Sequence, residues 1–83
     1  MNVLENISWK KMGDRIVAVD TSNGDYYTLN EVASTIWLAL TENKSEDEIA
    51  AQIMEEYEVE DAAQVRADIA AQLAQWKEMK LIA

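Results

Sequence analysis

The chain of 83 residues contains no cysteine, no histidine and no proline, and it has only two glycines. Without cysteine, it forms no disulfide framework and offers no thiolate ligand to a metal. Without histidine, it lacks the commonest general base and the commonest nitrogen ligand for metals. A catalytic site would have to rest on carboxylates, lysine or hydroxyl groups, and no carboxylate pair stands out from the others. We therefore predict that the protein is not an enzyme and binds no cofactor or metal.

Positive charge is scarce as well. The sequence has 7 Lys and Arg residues against 16 Asp and Glu residues, which gives a formal net charge of −9. This balance disfavours nucleic acid as a partner, because phosphate binding needs clustered cations. No apolar run approaches the roughly 18 residues of a membrane span, and the N-terminus lacks the pattern of a signal peptide. We expect one cytoplasmic domain, residues 1–83, without a membrane partner.

The two glycines mark the turns of a predicted three-stranded meander. Gly13 suits the first central position of a two-residue turn, and the pair Asn23-Gly24 suits a second turn of the same length. Residue types typical of strands flank these turns. The predicted strands are residues 7–12, 15–21 and 25–29.

These turns also predict a pairing register. Trp9 should lie opposite Ala18, Ala18 opposite Leu29, and Asp20 opposite Tyr27. One face of the sheet is then the better candidate for packing against helices. Its residues are Ile7, Trp9, Ile16, Ala18, Tyr27 and Leu29.

Three helices are predicted after the strands, each preceded by a polar residue that can cap its first turn. The caps are Asn30, Ser45 and Asp61. The first helix should end at Leu40 or Thr41 and the third near Lys80, followed by an apolar tail that folds back. Strands followed by helices predict an α+β domain, with the helices on one face of a small antiparallel sheet.

The third predicted strand is the less protected edge of this sheet. Lys10 and Lys11 on the first strand discourage pairing with a foreign strand, whereas residues 25–29 contain no Lys and no Pro. Such an edge is covered by the chain itself, sealed by a second copy, or open to an extended peptide. An open edge would bind a peptide through main-chain hydrogen bonds, with specificity from pockets beside a neighbouring helix.

The second and third predicted helices also allow a helix-turn-helix interpretation. The helix that would read DNA carries Arg66 as its one cation before the last turn, against Asp61 and Asp68. The three tryptophans are better explained as core residues than as stacking platforms for bases. A transcription factor is therefore a weaker alternative than a peptide-binding protein.

The junction between the third strand and the first helix resembles the signature of the PqqD-like family. The matching residues there are Tyr27, Leu29, Asn30, Ala33, Ile36 and Trp37. Further matches are Ser45, Glu48, Ile49, Tyr57, Val59, Asp68, Ile69, Leu73, Trp76, Leu81 and Ile82, so that the resemblance covers about residues 7–82. The chain departs from the family at Lys80 and at Glu42-Asn43, where the family often has glycine.

The PqqD-like family comprises the peptide chaperone of pyrroloquinoline quinone biosynthesis and the precursor-peptide recognition elements, including stand-alone proteins of lasso-peptide pathways. The resemblance implies a winged-helix-like domain that binds the leader segment of a ribosomally made precursor as an added antiparallel strand. It favours an adaptor that presents the leader to a lasso-pathway leader peptidase; the alternative is a chaperone that serves a radical SAM enzyme. By position, the implied peptide-binding residues are Asp25, Tyr26, Tyr27, Thr28 and Leu29 on the strand, and Val65, Asp68, Ile69 and Gln72 on the third helix.

Overall fold

The structure, a computed structural model, describes residues 2–83. Its strands are β1 (Ile7–Met12), β2 (Arg15–Asp20) and β3 (Tyr26–Thr28), and its helices are α1 (Glu31–Thr41), α2 (Glu46–Glu56) and α3 (Ala62–Glu78). The strands form one antiparallel sheet in the order β1-β2-β3. The predicted α+β arrangement of three strands followed by three helices is confirmed.

The first hairpin has the predicted register and the second does not. Trp9 lies opposite Ala18, as expected. Ala18, however, pairs with Tyr27 and not with Leu29, so the prediction for the second hairpin was wrong by two residues. Because this shift is even, every side chain of β3 keeps its predicted face.

The Asp20 side chain explains the shifted register. Its Oδ1 accepts hydrogen bonds from the Ser22 backbone N–H at 2.9 Å, from the Ser22 hydroxyl, and from Asn6 Nδ2 at 3.0 Å. The Asp20 N–H in turn donates to the Asp25 carbonyl at 2.8 Å. The strands therefore close at this pair, and residues 21–24 form a longer loop in place of the predicted two-residue turn.

The helices pack on one face of the sheet, around a core that contains two tryptophans. Trp37 and Trp76 are fully buried and meet edge to face, with ring centroids 5.2 Å apart. The predicted inner face of the sheet supplies Ile16 and Ala18, which are also fully buried. Trp9 lies on the predicted face and meets Trp37 edge to face, with ring centroids 6.4 Å apart, but at the edge of the sheet it is 37% exposed and is not part of the buried core.

Side chains cap the start of each helix as predicted. Asn30 Oδ1 accepts the Ala33 N–H at 2.8 Å, Ser45 forms a capping box with α2, and Asp61 Oδ1 accepts the Gln64 N–H at 3.1 Å. The predicted tail also folds back, since Ile82 is buried and forms an antiparallel bridge with Val3.

Two positions after the end of each helix lies a residue with a left-handed backbone that is not glycine. These residues are Asn43, Glu58 and Lys80, with φ angles of 62°, 52° and 61°. After each one, the next N–H bonds back to a carbonyl of the last helical turn; Leu81 N–H to Trp76 C=O, at 2.9 Å, is an example. This is the Schellman arrangement, in which glycine is the usual left-handed residue. The departures from the family at Asn43 and Lys80 thus fall on two of these positions.

In the described part of the chain, no helix is long and apolar enough to cross a membrane.

Candidate functional site

One side of β3 is open. The Leu29 N–H donates to the Ile16 carbonyl at 2.8 Å, so the backbone of Leu29 faces β2. Backbone groups alternate in direction along an antiparallel strand. The N–H and C=O groups of Tyr26 and Thr28 consequently point away from the sheet, and no backbone group elsewhere in residues 2–83 bonds to them.

A serine hydroxyl connects the end of β3 to α1. Ser34 Oγ accepts the Ile16 N–H at 2.8 Å and donates to the Leu29 carbonyl at 3.3 Å. Ser34 is only 2% exposed, so water does not compete for these bonds. The hydroxyl bridges two backbone groups at the end of the ladder, and it fixes the position of α1 relative to β3.

A groove of about 420 Å³ runs between β3 and the C-terminal half of α3. The helix side carries two glutamines, and Gln72 Nε2 donates to Gln75 Oε1 at 3.3 Å. Buried Leu29 and Trp76 contribute apolar surface beside these amides. The groove is lined by Tyr26, Tyr27, Thr28, Leu29, Asn30, Ala33, Gln72, Gln75, Trp76 and Met79.

A second pocket of about 260 Å³ lies toward the N-terminal half of α3. Its surface is mainly apolar, and Val32 and Val59 on its wall are 41% and 37% exposed. Asp68 is a polar residue on this wall, and its Oδ1 accepts a hydrogen bond from Gln64 Nε2 at 2.8 Å. The pocket is lined by Val32, Ile36, Ile53, Tyr57, Val59, Asp61, Gln64, Val65, Asp68 and Ile69.

The structure divides the predicted binding residues between these two cavities. Four of the strand residues line the groove, together with Gln72 from α3; they are Tyr26, Tyr27, Thr28 and Leu29. Asp25 precedes β3 and does not line the groove. Val65, Asp68 and Ile69 line the second pocket. Since Asp68 and Ile69 precede Gln72 by four and three positions, all three lie on one face of α3, and that face joins the cavities.

Several residues that line the groove were not predicted to bind the peptide. Gln75, Trp76 and Met79 follow Gln72 at three, four and seven positions, which is the spacing of a single helix face. Continuing the predicted face of α3 toward its C-terminus would have found them. Asn30 and Ala33 are also in the groove, because α1 starts directly after β3.

Two carboxylates have perturbed pKa values, and both have structural roles. Hydrogen bonds from the Ser22 hydroxyl, Asn6 and the Ser22 N–H lower the pKa of Asp20, which holds the loop before β3. Bonds from the backbone and side chain of Ser45 lower the pKa of Glu48 in the capping box of α2. Across residues 2–83, no cluster of three or more acidic side chains is arranged to hold a metal ion.

An open strand edge beside a groove defines a small peptide-recognition domain. The chain belongs to the PqqD family, because the family model described as coenzyme PQQ synthesis protein D matches residues 15–82. The resemblance found in the sequence is thereby confirmed. No curated protein matches the chain.

Two solved structures share the fold. One is TbiB1 in complex with the TbiA(beta) leader peptide, which is 29% identical, with a TM-score of 0.91 over 99% of this chain and 94% of that chain. The other is lasso peptide synthetase B1 complexed with the leader peptide, also 29% identical, with a TM-score of 0.90 over 99% of this chain and 95% of that chain. This chain is therefore homologous to leader-binding proteins of lasso-peptide synthesis.

Proposed function

We propose that this chain is a non-catalytic adaptor, which binds the leader segment of a ribosomally synthesised precursor peptide and presents it to a separate maturation enzyme. The leader adds to the sheet as an antiparallel strand beside β3. The observation that carries this proposal is the open edge at Tyr26 and Thr28, with a groove beside it. The homology to two proteins whose structures contain leader peptides supports it.

In this proposal, the two cavities hold different parts of the leader. Main-chain bonds to Tyr26 and Thr28 hold the backbone, and alternate side chains of the leader face the groove. The leader residue opposite Tyr27 points toward Gln72 and Trp76. An apolar leader side chain beyond the strand enters the second pocket, against Ile69.

We favour a leader peptidase of a lasso-peptide pathway as the enzyme partner, because one of the similar structures is a lasso peptide synthetase B1. The alternative is a chaperone that delivers its precursor to a radical SAM enzyme, which the family match supports. A precursor made on ribosomes also fits the cytoplasmic location expected from the sequence. The two alternatives are distinguished by adding this chain to each purified enzyme with its precursor, because only the true enzyme partner gains activity.

Substitution of Thr28 by proline tests strand addition directly. Proline removes an N–H that faces away from the sheet, so the ladder to β2 is kept. Loss of one hydrogen bond, at about 1 kcal/mol, together with the bulk of the ring should weaken leader binding about tenfold or more. The measurement is fluorescence anisotropy with the labelled TbiA(beta) leader and with labelled leader segments of precursor genes found near this gene.

Lys11→Pro is the matched control. Met12 and Arg15 form the hydrogen-bonded pair that closes the first turn. Because backbone groups alternate in direction, the N–H of Lys11 faces away from β2, on the edge of the sheet opposite β3. This variant should bind the leader as the wild type does. Equal loss in both variants, or no loss in Thr28→Pro, would show that the leader does not add to β3.

Two rival functions give different results. A second copy on β3 would make the chain a dimer that leader peptide dissociates, and light scattering with and without the peptide detects it. A helix-turn-helix protein would bind duplex DNA with an affinity that falls steeply as salt rises, whereas strand addition depends on salt only mildly.

A further inference from the structure

We propose that the outer face of the sheet, extended by the bound leader, is the docking surface for the maturation enzyme; this proposal rests on the adaptor function above. The outer face is the side of the sheet that faces away from the helices. Its side chains are Ser8, Lys10, Met12, Arg15, Val17, Val19, Tyr26 and Thr28, all exposed except the two valines, which are half-buried.

The centre of the outer face is apolar. Val17 and Val19 project there from the central strand, and Tyr26, opposite Val19, is 73% exposed. A hollow of about 130 Å³ lies beside the valines, next to Ser8 and Lys10. A sheet face that remains in water usually presents polar side chains. Two valines and a tyrosine on such a face indicate contact with another protein.

The charge around the outer face identifies the kind of protein. Lys10 and Arg15 project onto the outer face from the β1–β2 hairpin, and they are two of the 7 Lys and Arg residues in a chain of net charge −9. The hairpin is thus a basic region of an otherwise acidic surface, and it fits a partner with an apolar centre and a rim of Asp and Glu. A second copy is a poorer fit, because its acidic helices on this hairpin would form a head-to-tail contact and not the symmetric contact of the commonest dimers.

The outer face is continuous with the proposed leader site. A strand added to β3 extends the same sheet, and its residues opposite Tyr26 and Thr28 project onto the outer face. An enzyme docked there touches the hairpin and the leader together. The enzyme therefore binds the loaded adaptor more tightly than the empty one, and by reciprocity it also tightens leader binding.

The test measures two affinities for each variant by surface plasmon resonance. The probes are the labelled leader peptide and the purified maturation enzyme that gains activity in the test described above. With wild-type chain, leader should raise the affinity for the enzyme about fivefold or more. Lys10→Glu should lower the affinity for the enzyme about tenfold, and leave the affinity for leader within about twofold.

Two further variants separate specific docking from general effects. Lys77→Glu on α3 changes the net charge by the same amount as Lys10→Glu, and it should leave both affinities unchanged. Val19→Thr keeps the shape of the side chain and replaces a methyl group with a hydroxyl at the apolar centre, so it should weaken enzyme binding and leave leader binding unchanged.

Three outcomes would overturn the docking surface while leaving the adaptor function intact. The first is that Lys10→Glu and Lys77→Glu lower the affinity for the enzyme equally, and the second is that neither Lys10→Glu nor Val19→Thr changes it. The third is that the wild-type chain binds the enzyme with the same affinity with and without leader. A change of oligomeric state in Lys10→Glu would assign the face to a second copy instead. If the wild-type chain fails to bind the leader at all, the adaptor function itself is wrong.

Discussion

The left-handed residue after α2 offers a quantitative test of the folding energetics. Glu58 has a φ of 52° and is exposed. A residue with a Cβ destabilises the fold by about 1–2 kcal/mol in this conformation, because the Cβ lies too close to the following carbonyl, and glycine has no such cost. Glycine also makes the unfolded chain more flexible, which offsets about 0.5–1 kcal/mol of that gain. Glu58→Gly should therefore stabilise the fold by about 0.75 kcal/mol through the backbone alone, the difference between the midpoints of these two ranges.

Charge adds a second contribution at this position. Glu58 lies beyond the C-terminal end of α2, where the helix dipole is negative, and the last turn of α2 contains no basic residue. Removal of the carboxylate should add about 0.3 kcal/mol to the stability of the fold, which is the lower end of the range for a charge near a helix terminus. Glu58→Ala removes the charge and keeps the Cβ. The alanine variant thus reports the charge, and the difference between glycine and alanine reports the backbone strain.

Urea unfolding at neutral pH, followed by tryptophan fluorescence, measures both variants, because Trp37 and Trp76 are buried in the core. A gain of 1 kcal/mol corresponds to a rise in Tm of about 4–8 °C in a domain of this size. Lys80→Gly should stabilise the fold less than Glu58→Gly does, since it also removes a favourable cation from the end of α3. Asn43→Gly should change little, because asparagine tolerates the left-handed region. Equal stability of Glu58→Gly and Glu58→Ala would refute the strain argument.

Three further predictions concern the sheet and the groove. Ser34→Ala should destabilise the fold by about 1–3 kcal/mol in urea, because it leaves the buried N–H of Ile16 without a partner; Ser34→Thr, which keeps the hydroxyl, should recover part of this loss. The fold lowers the pKa of Asp20, so the Asp20 carboxylate stabilises the fold above about pH 4, and this stabilisation is lost as the pH falls through the folded pKa. In acid unfolding followed by circular dichroism, Asp20→Asn should lack this loss of stability, and a pH dependence equal to that of the wild type would contradict the prediction. Gln72→Glu and Asp68→Lys should each weaken leader binding in calorimetry, and unchanged affinity in both would place the leader elsewhere.

Local structure was predictable because it depends on neighbouring residues. The caps at Asn30, Ser45 and Asp61 act within three positions, and all three were identified from the sequence. The second hairpin was predicted wrongly because a side chain competed with the turn: the Asp20 carboxylate binds the loop that follows it. The Asn-Gly pair alone carries no information about that competition.

The groove was predictable only in part. α3 has 17 residues, a length of about 25 Å, whereas β3 has 3 residues and spans about 10 Å. Helical periodicity shows which side of α3 faces inward, but not which part of its length lies beside β3. The C-terminal half lies there, which puts Gln72 next to the strand and leaves Val65 and Ile69 at the second pocket.

The shortness of β3 limits what a peptide backbone alone can achieve. The outward groups of Tyr26 and Thr28 provide about four hydrogen bonds, each with a net value of about 1 kcal/mol. Immobilising a peptide costs at least about 4 kcal/mol, which cancels this gain. An arbitrary extended sequence therefore dissociates at once, and discrimination between cellular peptides falls to a few anchoring side chains. Under the proposed function, mutations elsewhere in a precursor leave recognition intact, so that the sequence of the product can vary while the adaptor stays the same.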